Sequence, residues 1–232
     1  GGLNDKSIAH VRLGHMSNKY LDKALLVCKG LSYISSQKLF VCYPCLESKF
    51  KRPSFKLKAV RDRNRVGSVQ RHSKSKLDAC SIFPKGSFVI FADIKGPMQI
   101  PSIVDGSIYV LGFTCVGVVG QEPTHPQRYA FAFPLTSKEG ATIVKHFQGV
   151  LRFLRRSGYD NFHLHTDGAN EFTEGPMEQF CSTEKVTMTH SAPYVHEHNP
   201  IAERYWQTVF NMALCMLISS SLPLSYWVLA VT

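Results

Sequence analysis

Apolar and polar positions are mixed in short runs over the first 48 residues, with no stretch that could build a core of its own. From Lys49 to about residue 80 apolar side chains thin out and Lys, Arg and Ser replace them, a texture that predicts a linker or arm. From Phe83 onward the pattern is that of a folded domain. Phe88-Val89-Ile90-Phe91-Ala92 is a continuous apolar run closing on Asp93, as a central strand covered on both faces requires. Ser107 to Val119 is β-branched and aromatic and predicts a second strand. Gly120 to Pro126 reads as a loop and Arg128 to Leu135 as a third strand, completing a hairpin. Thr136 and Glu139 make a capping-box pattern ahead of Ile143, Phe147, Val150, Leu151 and Leu154, which recur at helical spacing until Gly158. A short strand from Asn161 to Thr166 runs into Asp167, followed by a brief helix from Pro176 to Cys181 and a strand from Lys185 to Thr189. Asn199 caps a last long helix with Pro200 at its first position, and Ile201, Tyr205, Val209 and Met212 form its apolar stripe. The order β-β-β-α-β-α-β-α-α describes an α/β domain with a mixed five-stranded sheet flanked by helices.

Charge sharpens the division. The 232 residues carry a formal net charge of +10, and the segment from Lys49 to Asp78 holds +9 of it. Such a balance argues against a small acidic substrate and for a polyanion such as nucleic acid, or for a membrane surface. Lys49, Lys51, Arg52, Arg61, Arg63 and Arg65 are the candidate phosphate contacts of this segment, although a solvated loop has the same composition. Seven cysteines and no signal-peptide pattern at the start favour reduced thiols or metal ligands over a disulfide scaffold. No charge occurs from Tyr205 to Thr232, but Ser219-Ser220-Ser221 and Pro223 divide that stretch into pieces too short to span a bilayer, so two buried or half-buried helices are expected and no membrane partner. Both ends are abrupt, as in a piece of a longer chain.

The first chemical constellation is His10 and His15 with Cys42 and Cys45. Two neutral imidazoles and two thiolates suit tetrahedral Zn²⁺. His-x4-His spans about one helical turn, which places both rings on one side, and Cys42-Tyr43-Pro44-Cys45 is a tight thiolate turn. Cys28 fits no such spacing and reads as a core thiol. The second constellation is Asp93, Asp167 and Glu203. Two strand-end aspartates on neighbouring strands can meet at one edge of a sheet, and a glutamate in the first turn of a helix can close the site. Three carboxylates sharing a pocket bind Mg²⁺ or Mn²⁺. Taken singly, each Asp also suits a turn and Glu203 a helix N-terminus.

Together these residues resemble the integrase section of a copia-type LTR retrotransposon Gag-Pol polyprotein. His10-Val11-Arg12-Leu13-Gly14-His15 with Cys42-Tyr43-Pro44-Cys45 is similar to the pre-integrase zinc module of that family. Phe91 to Met98, His165-Thr166-Asp167 to Phe172, and Ser191 to Arg204 resemble its three catalytic segments, and thirty-five residues separate Asp167 from Glu203, as in a D,D-35-E triad. The resemblance implies a ribonuclease H-like core over 81–232, a small helical zinc-binding domain over 1–48 and a basic linker over 49–80. It implies metal-dependent trimming of DNA 3′ ends and strand transfer into target DNA, with Asp93, Asp167 and Glu203 as catalytic Mg²⁺ or Mn²⁺ ligands. Lys95 and Arg204 join the linker in holding phosphates. The implied partners are double-stranded DNA, further copies of the chain, and the rest of the polyprotein (protease, reverse transcriptase, RNase H). The implied locations are the nucleus and a cytoplasmic virus-like particle. Gly168-Ala169-Asn170 stands where the family has Asn-Gly-Gly, and Asn199-Pro200 where it has Asn-Gly. These departures keep open an alternative, a non-catalytic zinc-dependent nucleic-acid-binding or assembly module from a decayed element.

Overall fold

The computed structural model describes residues 5–27, 34, 41–49, 87–117, 128–167, 169–173, 175–190 and 200–232. Cys28, the basic segment from residue 50 to 86, the hairpin loop from Gly120 to Pro126 and the Asn199 cap lie outside the described residues.

Three helices come first: α1 (Asp5–Arg12), α2 (Asn18–Val27) and α3 (Tyr43–Lys49). Leu21, Leu25 and Ile34 form a small buried cluster with Ala9 and Met16 against it among the described residues. The main domain follows as β1 (Phe88–Lys95), β2 (Tyr109–Gly117), β3 (Arg128–Leu135), α4 (Gly140–Arg156), β4 (Phe162–Thr166), α5 (Asn170–Thr173), α6 (Pro176–Glu184), β5 (Thr187–His190), α7 (Pro200–Ser219) and α8 (Trp227–Val231). The sheet order is β3-β2-β1-β4-β5. β1, β2 and β3 pair antiparallel, while β4 runs parallel to β1 and to β5. This is the ribonuclease H-like mixed sheet expected from the sequence.

Strand alternation sorts the side chains onto two faces. Phe88, Ile90 and Ala92 of β1, with Leu111, Phe113 and Cys115 of β2, face Phe147, Leu151 and Leu154 of α4 and Met177 and Cys181 of α6. Val89 and Phe91, on the other face, pack with Val116 and with Ala202 of α7. Further along the same face Val110 meets Trp206, Leu217 and, from α8, Trp227 and Val228. β1 is covered on both sides, which is why it reads as an unbroken apolar run.

Four local expectations need correction. The capping box does not form: α4 begins only at Gly140, its N-cap is Glu139, and no side chain caps it. The intervening Lys138 is drawn instead to Glu171, with Nζ 2.6 Å from Oε1. Residues Asn170–Thr173 form a short helix that no apolar periodicity announced. The stripe of α7 is also offset. Ile201, Tyr205, Val209 and Met212 are half-buried, whereas Ala202, Trp206, Ala213, Cys215 and Leu217 are buried. The helix packs on several sides at once, against β1 and β2, α3 and α8, so a single 3.6-residue stripe does not describe it. Finally, the two histidines do not share one helical turn, as described below. Among the described residues no helix is long and apolar enough to cross a membrane.

Candidate metal centre and carboxylate edge

His10 sits in the last turn of α1, and the helix then ends in a Schellman motif. The His15 N–H reaches the His10 carbonyl at 2.8 Å and the Gly14 N–H the Val11 carbonyl at 3.2 Å. Gly14 takes the left-handed conformation this needs, φ 68°, and a Cβ there would come within 2.7 Å of Met212 Cε. His15, itself at φ 58°, is thereby folded back beside His10 rather than continuing the helix. The two rings lie 5.0 Å apart and nearly perpendicular. Cys42 precedes α3 and Cys45 lies in its first turn, closed by the Leu46 N–H on the Cys42 carbonyl at 3.1 Å. Pro44 suits that turn because its missing N–H has no helical acceptor there.

The four ligand atoms of His10, His15, Cys42 and Cys45 all lie within 4.8 Å of one another. Cys42 Sγ is 3.3 Å from His15 Nδ1, Cys45 Sγ 3.3 Å from His10 Nε2 and 3.6 Å from His15 Nδ1. With Zn–S and Zn–N bonds of about 2.3 and 2.0 Å, a tetrahedron has N···S edges of roughly 3.5 Å, so the set fits zinc. The His10 Nδ1–H donates to the Met16 carbonyl at 3.0 Å, which leaves Nε2 as the ligand atom.

The carboxylates stand at the other site. Asp93 shares the face of Val89 and Phe91, on the side covered by α7. In the parallel ladder Phe91 is opposite His165, so Asp167, two positions beyond His165, comes level with Asp93 at the adjoining strand end. The Asp93 side chain is 11% exposed; burial pushes its carboxyl above the usual carboxylate range. The Lys95 ammonium, 3.0 Å from Oδ2, opposes that shift, while the charge of Asp167 reinforces it. Asp167 also caps the following turn, accepting the Ala169 N–H at 3.2 Å.

Glu203 is in the first turn of α7, exposed, between Ala202 on Val89 and Phe91 and Trp206 over the sheet. Trp206 rests on Gly112, where a Cβ would lie 2.5 Å from the indole, and Gly112 is the antiparallel partner of Asp93. The absence of a side chain at Gly112 thus lets α7 approach beside Asp93. Among the described residues, however, the His/Cys group is the set of three or more potential ligands drawn close enough to hold an ion. Asp93, Asp167 and Glu203 are not gathered that tightly, and Asp93 is instead paired with Lys95.

Of the candidate phosphate contacts, Lys49 ends α3, Lys95 is engaged by Asp93, and Arg204 is exposed beside Glu203. Lys51, Arg52, Arg61, Arg63 and Arg65 lie outside the described residues. Sequence reasoning missed Gly112 and Trp206, which no motif marks, and Lys138, whose ammonium bridges Glu171 of α5 and lies 5.5 Å from the Tyr109 ring centre. The Tyr109 and Lys138 positions flank the β3 hairpin, and only the sheet register brings them to the turn after Asp167.

No protein-family model matches the chain. It is similar to retrovirus-related Pol polyproteins of plant transposons, of which it spans only a small part. One is that of transposon TNT 1-94 from Nicotiana tabacum, 27% identical over 220 residues; the match covers 94% of this chain and 14% of the relative's length. Another is that of transposon RE2 from Arabidopsis thaliana, 28% identical over 106 residues, covering 44% of this chain and 7% of the relative. Among solved structures, a chain of the simian T-cell lymphotropic virus intasome, determined by cryo-electron microscopy in complex with PP2A regulatory subunit B56 gamma, is similar at 12% identity and a TM-score of 0.41. That likeness covers 62% of this chain and 46% of that one.

Proposed function

We propose that the chain is the integrase segment of a copia-type retrotransposon polyprotein, a metal-dependent enzyme that trims DNA 3′ ends and joins them to target DNA. The observation that carries this reading is Asp93 near the end of β1 with Asp167 just past the end of the parallel strand β4, near enough that, besides burial, the charge of Asp167 pushes the Asp93 carboxyl up. The similarity to transposon Pol polyproteins over 94% of the chain supports it. In this reading residues 1–48 are the zinc-binding domain, 49–80 a basic linker and 81–232 the catalytic core.

Asp93, Asp167 and Glu203 would hold Mg²⁺ or Mn²⁺, hard cations that favour carboxylate oxygen. When bound, a pair of such ions stabilises the attacking and leaving oxygens of an in-line displacement at phosphorus, with no covalent protein intermediate. The chain's own part is to orient. β1 and β4 would hold the two aspartates at neighbouring strand ends, and the bare Gly112, on which Trp206 of α7 rests, would let Glu203 close on them. The Lys95 ammonium, 3.0 Å from Asp93 Oδ2, would hold a DNA phosphate beside that carboxylate. Arg204 and the linker arginines hold further phosphates, and His10, His15, Cys42 and Cys45 hold the structural zinc that the small N-terminal core needs. The working unit is an oligomer on double-stranded DNA, released from a polyprotein that also carries protease, reverse transcriptase and RNase H, and active in the virus-like particle and the nucleus.

A non-catalytic role has one observation in its favour, the Lys95 ammonium seated on Asp93. A strand-transfer assay separates the two readings. With element-end oligonucleotides, a plasmid target and Mg²⁺ or Mn²⁺, the integrase reading expects joined products that Glu203→Gln abolishes. Tight DNA binding with no nicking or joining in either metal refutes it.

A further inference from the structure

Cys215 lies in the middle of α7, fully buried, and takes no part in the proposed chemistry. Its sulfur is 4.0 Å from Sγ of Cys45, a member of the His/Cys set 170 positions earlier in the chain. The Ser48 hydroxyl, one turn beyond Cys45 on α3, is 2.7 Å from the same sulfur. α3 therefore presents both a metal-ligating thiol and a hydroxyl to one point on α7, and the point is a third thiol.

We propose that Cys45 and Cys215 form a metal-guarded thiol pair, which closes to a disulfide stapling α3 to α7 when the metal is lost in the presence of a peroxide. With the metal bound, the Cys45 sulfur shares its charge with the cation and reacts more slowly with an oxidant. With the metal removed, Cys45 is the sulfur an oxidant reaches, because it is half-buried while Cys215 is covered. The Cys45 thiolate attacks the peroxide O–O bond; one oxygen stays as the sulfenic acid and the other leaves as hydroxide, which takes up a proton to become water. The Cys215 thiolate then attacks the sulfenic sulfur, the S–S bond forms, and the second hydroxide leaves as water. Two thiols and one hydrogen peroxide thus give one disulfide and two waters. Ser48, whose hydroxyl faces Cys215, donates to that thiolate as it forms. A Cys42–Cys45 bond would lie within the first turn of α3 and constrain nothing beyond it. The Cys45–Cys215 bond fixes the N-terminal helices on the helix that carries Glu203.

The test uses the full chain loaded with zinc, its content measured first. One portion is treated with hydrogen peroxide directly, another after removal of zinc by a chelator. Both are then alkylated and mapped by mass spectrometry without reduction. The expected result is a Cys45–Cys215 peptide pair at least tenfold more abundant in the chelated portion. Cys215→Ala, and Cys215→Ser should the first variant fold poorly, are expected to keep one zinc and yield none of that pair. A chelated sample whose main disulfide is Cys42–Cys45, one that forms no internal disulfide, or a zinc-loaded sample that cross-links equally fast overturns the proposal. DNA joining is not read in this experiment, so its failure leaves the integrase reading untouched.

Discussion

Gly112 is the residue on which the geometry of the carboxylate edge turns. A methyl group there would enter the Trp206 indole at 2.5 Å, opposite Asp93 in the antiparallel ladder. Gly112→Ala is therefore expected to cost about 1–3 kcal/mol by overpacking, readable in urea unfolding, and to lower strand transfer by shifting Glu203. The Lys138–Glu171 pair makes a pH prediction. Burial pushes the Glu171 carboxyl up, but the hydrogen bond from Lys138 and its charge outweigh this and leave it below the usual carboxylate range. A depressed carboxylate stabilises above its unfolded value, and that contribution is lost as pH falls through the folded one. Glu171→Gln should thus flatten the acid side of the stability curve. At neutrality it should cost less than about 1 kcal/mol, since the pair is largely solvent-screened. Chemical denaturation across the carboxylate range measures both.

At the scale of elements, β1, β3 and α4 were legible because burial on one or two faces leaves a period in the sequence, and Gly158 ends α4 as its position implied. The stripe of α7 was misread because three neighbours share the helix, and α5 was missed because a four-residue turn buries only Phe172. The His/Cys set was legible as a ligand list but not as a geometry. The spacing suggested one helical turn, whereas Gly14 ends α1 and His15 returns through a positive φ. That geometry carries its own prediction. Among the described N-terminal residues the buried apolar cluster is Leu21, Leu25 and Ile34, so metal binding is expected to contribute to the folding energy of the module. Cys42→Ser should release the zinc, measured as metal content, and hydrogen exchange should rise throughout α1, α2 and α3 while β1 and β4 keep their protection.

Over the whole molecule, charge and function divide along the chain. The basic segment holds +9 of the net +10, so the chain's DNA affinity should be salt-sensitive and tolerant of sequence. Replacing Arg61, Arg63 and Arg65 with Ala should weaken binding to all duplexes alike, lowering the log–log salt slope by about 0.9 for each phosphate that is no longer neutralised. An unchanged slope would make the segment a solvated linker. The sheet order positions the rest: with β4 parallel to β1 and Phe91 opposite His165, the chain leaves both strands on the same side, where Asp93 and Asp167 lie. Whether Glu203 completes that pair is the central claim, and diffraction from crystals of the chain soaked in Mn²⁺ tests it most directly. Two anomalous peaks roughly 4 Å apart are expected between Asp93, Asp167 and Glu203, with the Lys95 ammonium displaced from Asp93. A well-ordered site with no peak, or with manganese on the aspartates while Glu203 points into solvent, would contradict it.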